Sequence, residues 1–182
     1  MRVLVVPYDP TWPAAFARES ATVAEALGES CIAIDHIGST SIPGMHAKPI
    51  IDMLAAMRSI TDVDGRSDEM SALGYQVMGE FGIPGRRYFR KDDAAGNRTH
   101  QVHVFEAGSP QIARHLAFRD FMRSHPVEAH EYASLKQRLA AQYADNIEAY
   151  MDGKDAFIKR MDAMAAAGNA VLAALGTGLG LR

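Results

Sequence analysis

Two apolar runs flank a short loop of small polar residues, and this pairing constrains the chain more than any other feature. The first run ends at Ile34-Asp35-His36-Ile37. Gly38-Ser39-Thr40-Ser41 follows. The second run, Ile50-Ile51-Asp52-Met53-Leu54-Ala55, carries one carboxylate. Such runs predict strands over 31–37 and 49–56, and the continuous apolar character of the second implies cover on both faces. Asp52 is then hard to explain as a surface charge. Gly38 permits a sharp turn and lets a ligand approach the backbone closely. Ser39, Thr40 and Ser41 set hydroxyls beside backbone N–H groups. A helical turn starting near Ile42-Pro43 would aim those N–H groups at one spot suited to a phosphate. The plain alternatives are a tight strand-to-helix turn for the loop, and for Asp52 a buried acid bonded to arginine or to loop amides.

The remaining pattern alternates strands and helices before turning wholly helical. A β-branched run predicts a strand over 2–6. Apolar positions Phe16, Val23, Ala26 and Leu27 predict a helix over 14–27, closed by Gly28. A helix within 59–73 precedes a strand over 75–78. Gly79 to Gly85 reads as a flexible loop, and Arg86 to Lys91 as a strand crowded with cations. A hairpin connection at 92–97 returns the chain along 99–105, with Thr99, Gln101, His103 and Phe105 on one face. Ser109-Pro110 opens a helix with Ile112, Leu116 and Phe121 on one side and a row of His115, Arg119 and Arg123 beside it. His125-Pro126 starts another, striped by Tyr132, Leu135, Leu139 and Tyr143. Phe157, Met161 and Met164 mark a third. Arg119 and Asp120 are expected to tie this helical half to the sheet.

Composition narrows the class. A chain of 182 residues, 48% hydrophobic and 23% charged, suits one soluble globular domain. A net charge of −3 argues against nucleic acid as the partner. The one cysteine, Cys31, lies in an apolar run and reads as a buried thiol. No signal peptide or membrane-length apolar segment is visible, so a cytoplasmic location is expected. The expected domain covers 1–165, and the Ala/Gly-rich stretch 166–182 reads as a flexible tail. Its Gly176-Thr177-Gly178-Leu179-Gly180 lacks the following helix and strand that a dinucleotide fingerprint needs.

His36-Ile37-Gly38-Ser39-Thr40-Ser41-Ile42-Pro43-Gly44 with Lys48-Pro49-Ile50-Ile51-Asp52 resembles the signature of the GrpB family. Further matches run in order through Tyr8-Asp9-Pro10-Thr11-Trp12, Leu73-Gly74-Tyr75, Gly79-Glu80, Ile83-Pro84-Gly85-Arg86, His103-Val104, Phe118-Arg119-Asp120, His125-Pro126, and Tyr132 with Leu135-Lys136. The resemblance covers roughly residues 3 to 165. It implies the nucleotidyltransferase superfamily, and a similar domain is fused to dephospho-coenzyme A kinase in some bacteria. The implied fold is α/β (α+β): a mixed sheet flanked by helices, with a helical C-terminal part. The superfamily places Gly-Ser before an Asp-x-Asp strand. Here Ser39 precedes Asp52 at a fitting distance, and position 54 is Leu54.

The resemblance further implies a site. Asp52 would ligate Mg²⁺ or Mn²⁺ with His103, which takes the place of a third acid on a later strand, and Glu80 is another candidate for a missing acid. Gly38, Ser39, Thr40, Ser41, Lys48 and Arg86 would bind a nucleotide or another phosphorylated small molecule. Two functions remain open: metal-dependent nucleotidyl transfer to a small molecule, or a non-turnover phosphate-binding module that assists a coenzyme A pathway or a protein partner.

Overall fold

The computed structural model describes residues 2–177. Helix α1 (Trp12–Leu27) begins after the Asp9 carboxylate accepts the Thr11 amide at 2.8 Å, and it ends at Gly28 with φ 77°. β1 (Cys31–Ile37) leads through a 3₁₀ turn, Ser39–Ser41, to β2 (Ile51–Met57). Two short helices, α2 (Thr61–Asp64) and α3 (Ser67–Ala72), then precede β3 (Tyr75–Val77), β4 (Arg87–Asp92) and β5 (Arg98–Glu106). Helices α4 (Pro110–Ser124), α5 (Pro126–Gln142) and α6 (Ile147–Thr177) complete the chain. Ser109 caps α4 as its sequence predicts, its side chain accepting from the Gln111 amide. The stretch expected as a tail is helical as far as Thr177, and positions 178–182 lie outside the described residues.

The strands form one mixed sheet in the order β1-β2-β5-β4-β3, with β2 and β5 parallel and the other neighbours antiparallel. The mixed sheet with a helical C-terminal part matches the expected fold class. One face carries Met53, Ala55, Met57, Val102 and Val104 against Val23 and Leu27 of α1 and Met70 of α3. The opposite face carries Ile37, Leu54 and Phe105 against Ile112 and Leu116 of α4. Both faces of β2 are therefore covered, as its unbroken apolar run requires. Burial of each of these Val, Leu, Ile, Met and Phe side chains contributes about 1.5–3 kcal/mol.

Residues 2–6 depart from expectation. Only Val6 pairs, exchanging two backbone hydrogen bonds with Ala47 at 2.9 and 3.0 Å. Val3 packs instead on Leu139 and Tyr150, so the run straps the helical half rather than extending the sheet. Among the described residues no helix is long and apolar enough to cross a membrane.

The two halves are joined by charge as well as by packing. Of the row His115, Arg119, Arg123, the two arginines face β1 and its loop, and His115 lies against His103 and Phe105 of β5. Arg119 donates to Asp35 at 3.0 Å and to the His36 carbonyl at 3.3 Å, and it also pairs with Asp120. Arg123 donates twice to the Ser41 carbonyl, at 2.8 and 3.1 Å.

Candidate functional site

A cavity of about 180 Å³ opens where the sheet meets α5 and α6. The loop after β1 contributes Gly38, Ser39 and Thr40, the approach to β2 contributes Lys48, and β2 contributes Asp52. Tyr132 and Lys136 enter from α5, and Tyr150 and Lys154 from α6. Gln101 of β5, in register with Asp52, completes the sheet side. The expected pairing of Gly38 with Asp52 is physical: a Cβ on Gly38 would overlap Asp52 Oδ2 and lie 3.1 Å from Asp52 Cγ. Gly38 also has φ 69°, a conformation that L side chains rarely adopt.

The loop hydroxyls divide their work. Ser41 Oγ donates to the Gly38 carbonyl at 2.7 Å, and Thr40 Oγ1 donates to the Ile50 carbonyl at 3.0 Å. With its proton so used, Thr40 Oγ1 accepts from His36 Nε2 at 3.0 Å, which fixes the proton of that imidazole on Nε2. His36 also stacks on Phe16, and burial lowers its pKa to about 4. Thr40, Ser41 and His36 thus shape the loop, and Ser39 is left facing the cavity. The turn starts at Ser39 and ends before Ile42, which is extended; the helical turn expected from Ile42-Pro43 does not form.

Amines dominate the cavity. Lys136 is 2% exposed and donates to Ser39 Oγ at 2.8 Å. Burial, and then the charge of Lys154, lower its pKa to about 7. Burial lowers that of Lys154 to about 8, and that of Lys48 also falls. Lys136 lies over the Tyr132 ring at 4.6 Å, and Lys154 over the Tyr150 ring at 4.6 Å. Among the described residues the Asp52 carboxylate makes no hydrogen bond. Burial raises its pKa to about 6, a rise that Lys48 and Lys154 oppose.

The structure does not bring His103, Glu80 or Arg86 to this cavity. His103 aligns with Leu54, two positions beyond Gln101, and its Nδ1 accepts from Arg86 at 3.3 Å. Burial lowers its pKa to about 3, and His115 of α4 lies beside it with ring centroids 5.7 Å apart. Arg86 is buried and spends its other donors on the carbonyls of Phe81, at 2.7 Å, and Glu80, at 3.2 Å. The Glu80 carboxylate accepts the Gly85 amide at 2.7 Å. This second cluster orders the 79–85 loop.

The donor set does not fit a resident Mg²⁺ or Mn²⁺. Among the described residues no group of three or more His, Cys, Asp or Glu side chains is placed to hold a metal. The cavity offers one carboxylate beside three amines, and Leu54 packs with Ile37 and Phe105 where a second acid is expected.

Sequence reasoning missed Tyr132, Lys136, Tyr150 and Lys154 as site residues. Their signal is a repeated spacing: each lysine follows a tyrosine by four positions, one helical turn, on a face that packs inward.

Comparison with known proteins places these residues in a family. The model of the GrpB protein family matches residues 2–163. The UPF0157 protein YqkA of Bacillus subtilis (strain 168) is 51% identical over 87% of this chain, which spans 46% of that protein. A dephospho-CoA kinase of Mycolicibacterium paratuberculosis is 29% identical over 86% of the chain and 44% of its own length. The chain therefore spans about half the length of either relative. The crystal structure of the conserved protein GrpB from Enterococcus faecalis superposes with a TM-score of 0.85 at 44% identity, covering 89% of this chain and 96% of that one. The chain thus belongs to the GrpB family.

Proposed function

We propose that the cavity binds a nucleotide or another phosphorylated small molecule, with amines as the counter-charge. The observation that carries this reading is the convergence of Lys48, Lys136 and Lys154 on the Gly38-Ser39 backbone around one carboxylate. A phosphate there would gain charge-assisted hydrogen bonds in a partly desolvated pocket, where they are stronger than in water. Lys154, with its pKa about 8, stays largely protonated at neutral pH. The Gly38-Ser39 spacing to Asp52 resembles the nucleotidyltransferase pattern, and the kinase relative supports phosphorylated coenzyme A precursors as ligands to try. Leu54 favours binding without turnover. The second reading, metal-dependent nucleotidyl transfer, is favoured by the unbonded Asp52 carboxylate.

Thermal unfolding against nucleoside triphosphates and coenzyme A precursors, with and without Mg²⁺, separates the two. On the first reading a shift appears without metal, is lost in Lys154→Met, and persists or grows in Asp52→Asn, which removes a repelling charge. A shift that needs Mg²⁺ and vanishes in Asp52→Asn, together with nucleotide consumption, would replace it by the second. No shift with any phosphorylated compound would overturn both.

A further inference from the structure

We propose that Ser39 and Lys136 form a nucleophile–base pair that cleaves an ester or thioester carrying an anionic group. The geometry is that of a serine activated by a neighbouring amine: Lys136 Nζ lies 2.8 Å from Ser39 Oγ, inside a cavity. Of the loop's three hydroxyls, those of Thr40 and Ser41 donate to backbone carbonyls, so only Ser39 has its proton free for transfer. Among the described residues Lys136 Nζ has a single hydrogen-bonding oxygen, Ser39 Oγ. A protonated amine would bury three N–H donors against that one acceptor, whereas a neutral amine turns its lone pair to the serine proton. Burial beside Lys154 supports the neutral form near pH 7. Lys48 and Lys154 remain to hold the anionic group, and in this respect the inference rests on the anion-binding reading above.

The step balances without a co-reactant other than water. Ser39 Oγ attacks the carbonyl carbon while its proton passes to Lys136 Nζ. The carbon–oxygen or carbon–sulfur bond breaks, and the alcohol or thiol leaves with that proton. Water then attacks the Ser39 ester, giving a proton to Lys136, which returns it to Ser39 Oγ as the carboxylic acid is released.

A small neutral probe, methanesulfonyl fluoride, tests the pair without calling on anion binding. Ser39 Oγ would displace fluoride and carry one methanesulfonyl group, located by peptide mass spectrometry. The expected result is stoichiometric labelling at Ser39, with a rate that rises with pH through about 7. Lys136→Arg keeps a cation but removes the base, and should slow labelling about a hundredfold. Ser39→Ala should abolish it with a circular dichroism spectrum like that of the wild type. Lys154→Met should still label at Ser39, even where it has lost phosphate binding, with the rise in rate moved to higher pH because the Lys154 charge no longer lowers the pKa of Lys136. Absence of labelling in the folded protein would overturn the pair, as would labelling at another residue or an equal rate in Lys136→Arg. If phosphate binding fails while Ser39 still labels, the anion-binding reading falls and the pair stands.

Discussion

Gly38 and Asp52 determine each other. The glycine has a positive φ, and its missing side chain leaves the volume that the Asp52 carboxyl fills. Gly38→Ala therefore meets both backbone strain and a steric clash, and should cost about 2–4 kcal/mol, read as a lower denaturation midpoint. Asp52→Ala in the same background should recover part of that loss, because the clashing atoms are gone. Titration gives a second check. The pKa of Asp52 is raised from 3.8 to about 6, so the folded protein binds a proton more tightly than the unfolded chain does. The stability that this proton brings is full below pH 3.8 and is lost as pH rises through about 6. Asp52→Asn should accordingly match the wild type in acid and gain on it by about 3 kcal/mol near neutrality, measured by urea unfolding across that range. Lys136 has the opposite sign: its lowered pKa brings stability that is present above 10.5 and is lost as pH falls through about 7. Lys136→Met should therefore gain most on the wild type near pH 7 and progressively less towards pH 10.5.

At the scale of elements, most of the secondary structure was legible because local chemistry and tertiary need agree. Ser109-Pro110 starts α4, Gly28 ends α1, and the unbroken run of β2 is covered on both faces. The strand expected over 2–6 failed because its β-branched run serves a different partner: Val3 reaches the α5–α6 pair, donating its amide to the Ala144 carbonyl at 2.7 Å, and Val6 alone of the run forms a β-bridge. The same pair of helices explains why half of the site stayed hidden. Lys136 and Lys154 lie on stripes that look like ordinary amphipathic faces, and only the packing of α5 on α6 shows that both lysines point inward. Gly153 sets how close that packing is. A Cβ there would come within 2.5 Å of Leu139 Cδ2 and 3.0 Å of Cδ1. Alanine normally favours a helix over glycine by about 1 kcal/mol. Here Leu139 is packed among Val3 and Tyr150 and has little room to yield. Gly153→Ala should thus be net destabilising, by about 1 kcal/mol, and should weaken phosphate binding by shifting the adjacent Lys154. Calorimetric melting and a ligand titration on that variant check both effects.

On the scale of the whole molecule, the cavity is a seam. Its sheet side comes from the β1 loop and β2, its helical side from α5 and α6, and the halves are otherwise joined by α4 through Arg119 and Arg123. Arg119 pairs with Asp35 and Asp120 and is 14% exposed at the side chain, so it resists loss better than an open surface pair does. Arg123 acts on the loop itself, through the Ser41 carbonyl. Its replacement by methionine would leave that buried carbonyl short of two donors, and should cost about 1.5–3 kcal/mol while loosening the turn that presents Ser39. A ligand bridging Lys48, Lys136 and Lys154 would act across the same seam from the other side. At a concentration about a hundred times its dissociation constant it adds roughly 2.7 kcal/mol. That gain should be distributed as the contacts are. Hydrogen exchange should slow in the β1–β2 loop, in α5 and in the first turns of α6, and stay unchanged in β3 and β4, which lie at the far edge of the sheet. In Arg123→Met the same ligand should restore much of the lost stability, because it holds the loop to the helices by a second route. A ligand that protects β3 and β4 instead would be binding at the Arg86–His103 cluster, and the seam would then have no part in it.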